Sequence, residues 1–160
     1  MQPRVALVAL AAVLLAGAAW FFTRQTDEAK INRLLDDLTR AGDIDADSNV
    51  LTRGLRVHRA FEGAFQPSAR VDVPEIGGAS LDALEEVATG AGAVLHDGQV
   101  RLDRRAIVLD EPHTLAEVSA TAHLEGHRGG SSISASRPAE LQLRKIDGAW
   151  KITTLHIGAL

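Results

Sequence analysis

Six histidines, at positions 58, 96, 113, 123, 127 and 156, are the side chains of this chain that can exchange a proton near neutrality. With no cysteine and no tyrosine in the sequence, they carry most of its chemical options. His58 stands in the middle of a run in which Leu51, Leu55, His58, Phe61 and Phe65 recur at helical spacing. A pocket wall would place a general base there, and a core-edge imidazole bonded to a carbonyl or a water would occupy the same position. His123 alternates with Thr121 and Glu125 on one face of a strand-like stretch, and Asp103 is the carboxylate of the strand-like stretch before it. His123 and Asp103 therefore join His58 as candidate catalytic groups, with His58, Phe61, Thr121, His123 and Trp150 as candidate pocket lining.

Other chemistries are disfavoured by residue type or spacing. His123, Glu125 and His127 spell His-x-Glu-x-His, but a zinc helix places its histidines four apart on one helical face. Here the spacing falls on a strand that runs into Gly126, so a polar strand face is expected and no metal. Without cysteine there is no thiolate ligand, disulfide, cysteine nucleophile or lipid-modified cysteine. No serine lies in a Gly-x-Ser-x-Gly setting. Gly126, Gly129, Gly130, Ser131 and Ser132 form a glycine-serine stretch with no helix after it, which is a loop rather than a phosphate cradle. No cofactor is expected.

Charge narrows the partners. Arg4 and Arg24 are the only bases ahead of Gln25; from there on, 15 Lys and Arg face 21 Asp and Glu, with both signs dispersed. Nucleic acid is not an expected partner, because phosphate binding needs a concentrated basic stripe. A membrane is. Val5 to Phe22 is an uncharged run of about 18 residues, about 27 Å long as a helix, which just spans a hydrocarbon core. Arg4 ahead of it keeps that end in the cytoplasm, and Trp20, Phe21 and Phe22 close it with rings that favour the interface. Ala16, Gly17 and Ala18 offer a small-residue cleavage pattern, so secretion after signal removal is the alternative to a retained anchor. Residues 1–24 are thus an anchor or signal segment, and residues 25–160 one extracytoplasmic domain.

The elements that must position the candidate residues follow from periodicity. Ile31, Leu34, Leu35 and Leu38 predict an amphipathic helix from Asp27 to Ala41, stopped by Gly42. A second helix, capped by Asp47 or Ser48, runs to about Phe65. Val71 and Val73 mark a short strand ended by Pro74, and Leu81, Leu84, Val87 and Ala88 a third helix stopped by the glycines at 90 and 92. Asp97 and Gly98 signal a hairpin, and Val100 to Leu109 and Ala116 to Leu124 are strands joined by Asp110, Glu111 and Pro112. Gly126 to Ser132 reads as a loop. Pro138 opens a strand with Leu141 and Leu143 inward, and Asp147 with Gly148 turns it into Trp150 to Ile157. Helices first and an antiparallel meander after them is an α+β layout.

The closing hairpin, with Leu141, Leu143, Lys145, Asp147, Gly148, Trp150, Lys151, Ile152, Leu155 and Ile157, resembles the C-terminal strands of the NTF2-like superfamily, which includes ketosteroid isomerase and SnoaL-type cyclases. The element order over about residues 27 to 158 is similar too. The resemblance implies a cone of three helices packed on a curved antiparallel sheet, with a pocket at the wide end, and it accommodates a homodimer. Isomerase chemistry of the ketosteroid type typically uses a tyrosine donor at the developing oxyanion, and this chain has none. Some members place such a domain behind a membrane helix, as in secretion-system components and Mce-associated proteins of actinobacteria. The expectation is a membrane-tethered, non-catalytic module binding a protein partner or a small apolar ligand. The rival is a cyclase, isomerase or dehydratase with a histidine base.

Overall fold

The computed structural model describes residues 26–45, 49–74 and 80–159. The expected membrane segment, residues 5–22, lies outside them, and no helix among the described residues is long and apolar enough to cross a membrane. The elements are α1 (Asp27–Gly42), α2 (Val50–Ala64), β1 (Phe65–Asp72), α3 (Leu81–Val94), β2 (Asp97–Leu109), β3 (Leu115–Arg128), β4 (Ser131–Ile146) and β5 (Ala149–Ile157).

The first helix forms where its periodicity places it. Thr26 caps it, Oγ1 accepting from the Ala29 N–H at 3.2 Å, and Asp27 and Glu28 lie in the first turn, where a carboxylate meets the positive end of the helix dipole. Ile31 and Leu35 are fully buried. In α2 the buried face differs from the expected one. Leu51 and Leu55 are 77% and 58% exposed, while Arg53, Val57, Phe61 and Ala64 point inward. The cap is Asn49, whose Oδ1 accepts from Leu51 N–H, rather than Asp47 or Ser48, and the helix ends where Phe65 enters a strand. Phe61 belongs to both stripes and is buried as expected; packing turns Arg53 and Val57 inward in place of the more apolar Leu51 and Leu55.

The third helix continues through Gly90 and Gly92 to Val94, although each mid-helix glycine costs roughly 0.5–1 kcal/mol relative to alanine. Gly92 is accommodated for a packing reason: a Cβ there would lie 3.3 Å from the Arg53 side chain.

The sheet order is β1-β5-β4-β3-β2, and it is mixed rather than purely antiparallel, since β1 runs parallel to β5. That pairing needs a long crossover, which α3 and the β2–β4 meander supply. Asp97 and Gly98 are not a hairpin turn; they open β2, and Gly98 pairs with Gly126. A Cβ on Gly126 would sit 2.5 Å from the Asp97 carbonyl oxygen, which explains glycine at that position. The expected loop from Gly126 to Ser132 reduces to Gly129 and Gly130, both at positive φ, with strand on either side. Pro138 sits inside β4 opposite Thr121. Asp147 and Gly148 form the expected tight turn, at φ 50 and 82. Register shifts between Asp103 and Ala106, and again between Gln142 and Leu143, bend the sheet around the helices. The core between sheet and helices joins Ile31, Leu35, Val57, Phe61 and Phe65 to Val118, Leu141, Leu143, Trp150 and Ile152.

Candidate functional site

The geometry around His58 comes from the packing of α2 on α3. Its side chain is 60% exposed, and its Nδ1 lies 2.8 Å from Glu85 Oε1 of α3. The pair borders a groove of about 550 Å³ walled by Phe61, Phe65, Leu81 and Ile146. At the same groove Lys151 Nζ donates to the carbonyl of Glu62 at 3.0 Å and to that of Gly63, closing the C-terminal end of α2. An imidazole held by a carboxylate through Nδ1 presents Nε2 outward, the arrangement of an oriented base, and here the groove beside it is mostly apolar.

The other candidates lie elsewhere. Thr121 and His123 are on the face of β3 opposite Ala116 and Val118, which are buried against the helices, so both point away from the interior of the cone. Asp103 pairs with Thr121 across the ladder, and its Oδ2 is 3.6 Å from His123 Nε2, an ion-pair distance only when the imidazole is protonated. His127 bonds Asp97 at 2.8 Å and Glu125 bonds Arg101 at 2.7 Å, so the members of the His-x-Glu-x-His run each face a different partner. Among the described residues no group of three or more His, Asp or Glu is placed to hold a metal ion. The His127 hydrogen bond holds the Asp97 carboxyl below its usual range, and the Leu115 and Thr114 donors do the same for Asp110.

Trp150 is buried at the first turn of α1, where its Nε1 donates to Asp27 Oδ1 at 3.1 Å. Lys145 Nζ reaches both Asp27 oxygens, at 2.8 and 2.9 Å, and lies 5.4 Å from the Trp150 ring centroid. The Lys145 hydrogen bond is the main reason that the Asp27 carboxyl is lowered to about 2; burial opposes it, and Trp150 and Lys30 assist. Of the five residues expected to line one pocket, the structure brings together His58 and Phe61; Thr121 and His123 are on the outer sheet face and Trp150 is under α1.

Sequence reasoning missed Arg53. It is 3% exposed, and its Nη2 donates to the Ala88 carbonyl at 2.7 Å. The spacing of Arg53, Val57 and Phe61, one turn apart, was the available signal. It was masked by the more apolar stripe of Leu51 and Leu55.

No protein-family model matches the chain, and no curated protein sequence matches it. Solved structures do. A proposed aromatic ring hydroxylase from Novosphingobium aromaticivorans superposes with a TM-score of 0.64 at 18% identity, over 84% of this chain and 89% of that one. A hexachlorocyclohexane dehydrochlorinase, LinA type 2, gives 0.64 at 15% identity, over 82% of this chain and 83% of that one. An NTF2-like superfamily protein from Salmonella enterica serovar Typhimurium LT2 gives 0.55 at 20% identity, over 81% of this chain and 85% of that one. The fold is therefore the NTF2-like α+β cone, built here from three helices on a curved, mixed sheet. At these identities the likeness extends to the fold, a scaffold that hosts enzymes and proteins of other kinds.

Proposed function

We propose that this chain is a membrane-tethered, extracytoplasmic, non-catalytic binding module of NTF2-like fold, held by residues 5–22 and engaging a small apolar ligand or a protein partner through the α2–α3 side of the cone. One observation carries the non-catalytic part. The interior of the cone is filled by aliphatic and aromatic side chains, while His58 and His123 lie on its outside. An acid-base site that excludes water needs its titratable group inside such a cavity. The tether rests on the uncharged run from Val5 to Phe22, with Arg4 before it and interfacial aromatics at its end.

Protease treatment of intact cells, with the mass of the mature protein, tests the location. The expected result is a chain of unprocessed mass, in the membrane fraction, whose domain is cut from outside. Recovery of the unprocessed chain from the soluble fraction without detergent overturns it. A second reading is favoured by the His58–Glu85 pair at an apolar groove, in a fold shared with a dehydrochlorinase: an eliminating or isomerising enzyme with His58 as base. On that reading, any turnover found disappears in His58→Ala and survives in His123→Ala.

A further inference from the structure

The inward stripe of α2 begins with a charge. Arg53 is the one charged residue fully buried among the described residues, and although Nη2 reaches the carbonyls of Ala88 and, at 3.4 Å, Gly42, its Nε and Nη1 have no partner. No carboxylate among the described residues pairs with it. Arg56 brings a second guanidinium to the same corner, and its Nε is also buried without a partner. The neighbouring acids are engaged: Asp43 Oδ1 accepts from the Val100 N–H at 3.0 Å, and Asp45 Oδ2 meets Arg56 at 3.5 Å. Burial first, and then the charge of Arg56, act against the protonated form of Arg53, while the charges of Asp45 and Asp43 act for it. A buried guanidinium with two idle nitrogens and no carboxylate bonded to it gains from an anion that joins it.

From that corner the stripe leads to an apolar opening. Val57 and Phe61 follow Arg53 at successive turns, and Phe61 is a wall of the groove it shares with Phe65, Leu81 and Ile146. Arg53 and Phe61 are eight residues apart, about 12 Å along the helix axis. The opposite wall of the seam is α3, which has no fully buried residue and meets Arg53 with Gly92, so that no side chain stands between the helix and the guanidinium.

We propose that the seam between α2 and α3 binds an amphiphilic carboxylate, its head group on Arg53 and its alkyl chain running past Val57 to the groove at Phe61, with α3 shifting off Arg53 to admit it. The proposal deepens the binding-module reading and rests on it, by naming the charge and shape of the ligand. Entry through α3 is consistent with the two glycines, 90 and 92, that weaken that helix.

The test is calorimetric titration of the full-length chain in nanodiscs with decanoate, and with decan-1-ol as its uncharged counterpart, empty nanodiscs serving as the blank. Wild type is expected to bind decanoate roughly tenfold or more tightly than the alcohol, and Arg53→Met to lose that preference while still binding the alcohol. Arg53→Lys, which keeps the charge without the fork, is expected to retain part of it. Equal affinity for acid and alcohol on the wild type, or no binding of either, overturns the proposal whether or not the methionine variant folds. So does a preference that persists in Arg53→Met. None of these outcomes changes the protease and mass result that tests the tether, or the turnover result that tests His58, so the two readings fail separately.

Discussion

Replacing Asp27 by asparagine removes one carboxylate that three elements share. Its carboxyl is lowered from 3.8 to about 2, and the side chain is only 13% exposed, so little solvent screens it. One pKa unit corresponds to about 1.4 kcal/mol, which gives ionised Asp27 a stabilising contribution of about 2 kcal/mol. Because the folded-state value is the lower one, that contribution is complete above pH 3.8 and disappears as the pH falls through about 2. Asp27→Asn should therefore unfold about 2 kcal/mol more easily at pH 6, a melting-temperature loss of about 5 to 10 °C for a domain of this size. The deficit should shrink below pH 3.8. Urea titrations of both proteins between pH 6 and pH 2.5, followed by far-ultraviolet circular dichroism, measure it. A deficit that is the same at pH 6 and pH 2.5, or one under about 0.5 kcal/mol at pH 6, would refute the reasoning, because Lys145 and Trp150 would then gain as much from water as from the carboxylate.

Further outcomes follow from particular contacts. Val57→Ala should cost about 2 kcal/mol or more in urea unfolding and Leu51→Ala about 0.5 kcal/mol or less, since the first is fully buried and the second 77% exposed; the reverse order would restore the helix face expected from sequence. Gly90→Ala has open space for its Cβ and should stabilise by roughly 0.5–1 kcal/mol, whereas Gly126→Ala meets the Asp97 carbonyl oxygen and should destabilise by about 1–3 kcal/mol; in thermal melts, a Gly126→Ala that is no less stable than wild type would contradict the strand register, and a destabilised Gly90→Ala the packing of α3. Glu85→Gln should change stability by less than about 1 kcal/mol, because it breaks a surface pair with a largely exposed histidine, and a larger loss would make that pair structural.

Local patterns carried far in this chain where one signal had no competitor. Thr26, Asp27 and the Ile31–Leu35 spacing determine α1, and the alternation on β3 with the Asp147–Gly148 turn determines the last three strands, because caps, periods and positive-φ turns act within a few neighbouring residues. The charge and hydropathy of residues 1–24 define the expected anchor in the same local way. The parallel pairing of β1 with β5 was not legible, since partners some 85 residues apart leave no mark on either segment's own pattern. Which face of α2 points inward was likewise decided by packing. Leu51 and Leu55 outscore Arg53 and Val57 locally, but the second pair is the one buried, with Gly92 against Arg53. The candidate site shows the same division: sequence named His58 as a titratable group on a helix, and only the tertiary structure put Glu85 beside it, Arg53 behind it and His123 on the opposite side of the sheet, because contacts between elements depend on where each backbone is carried in space.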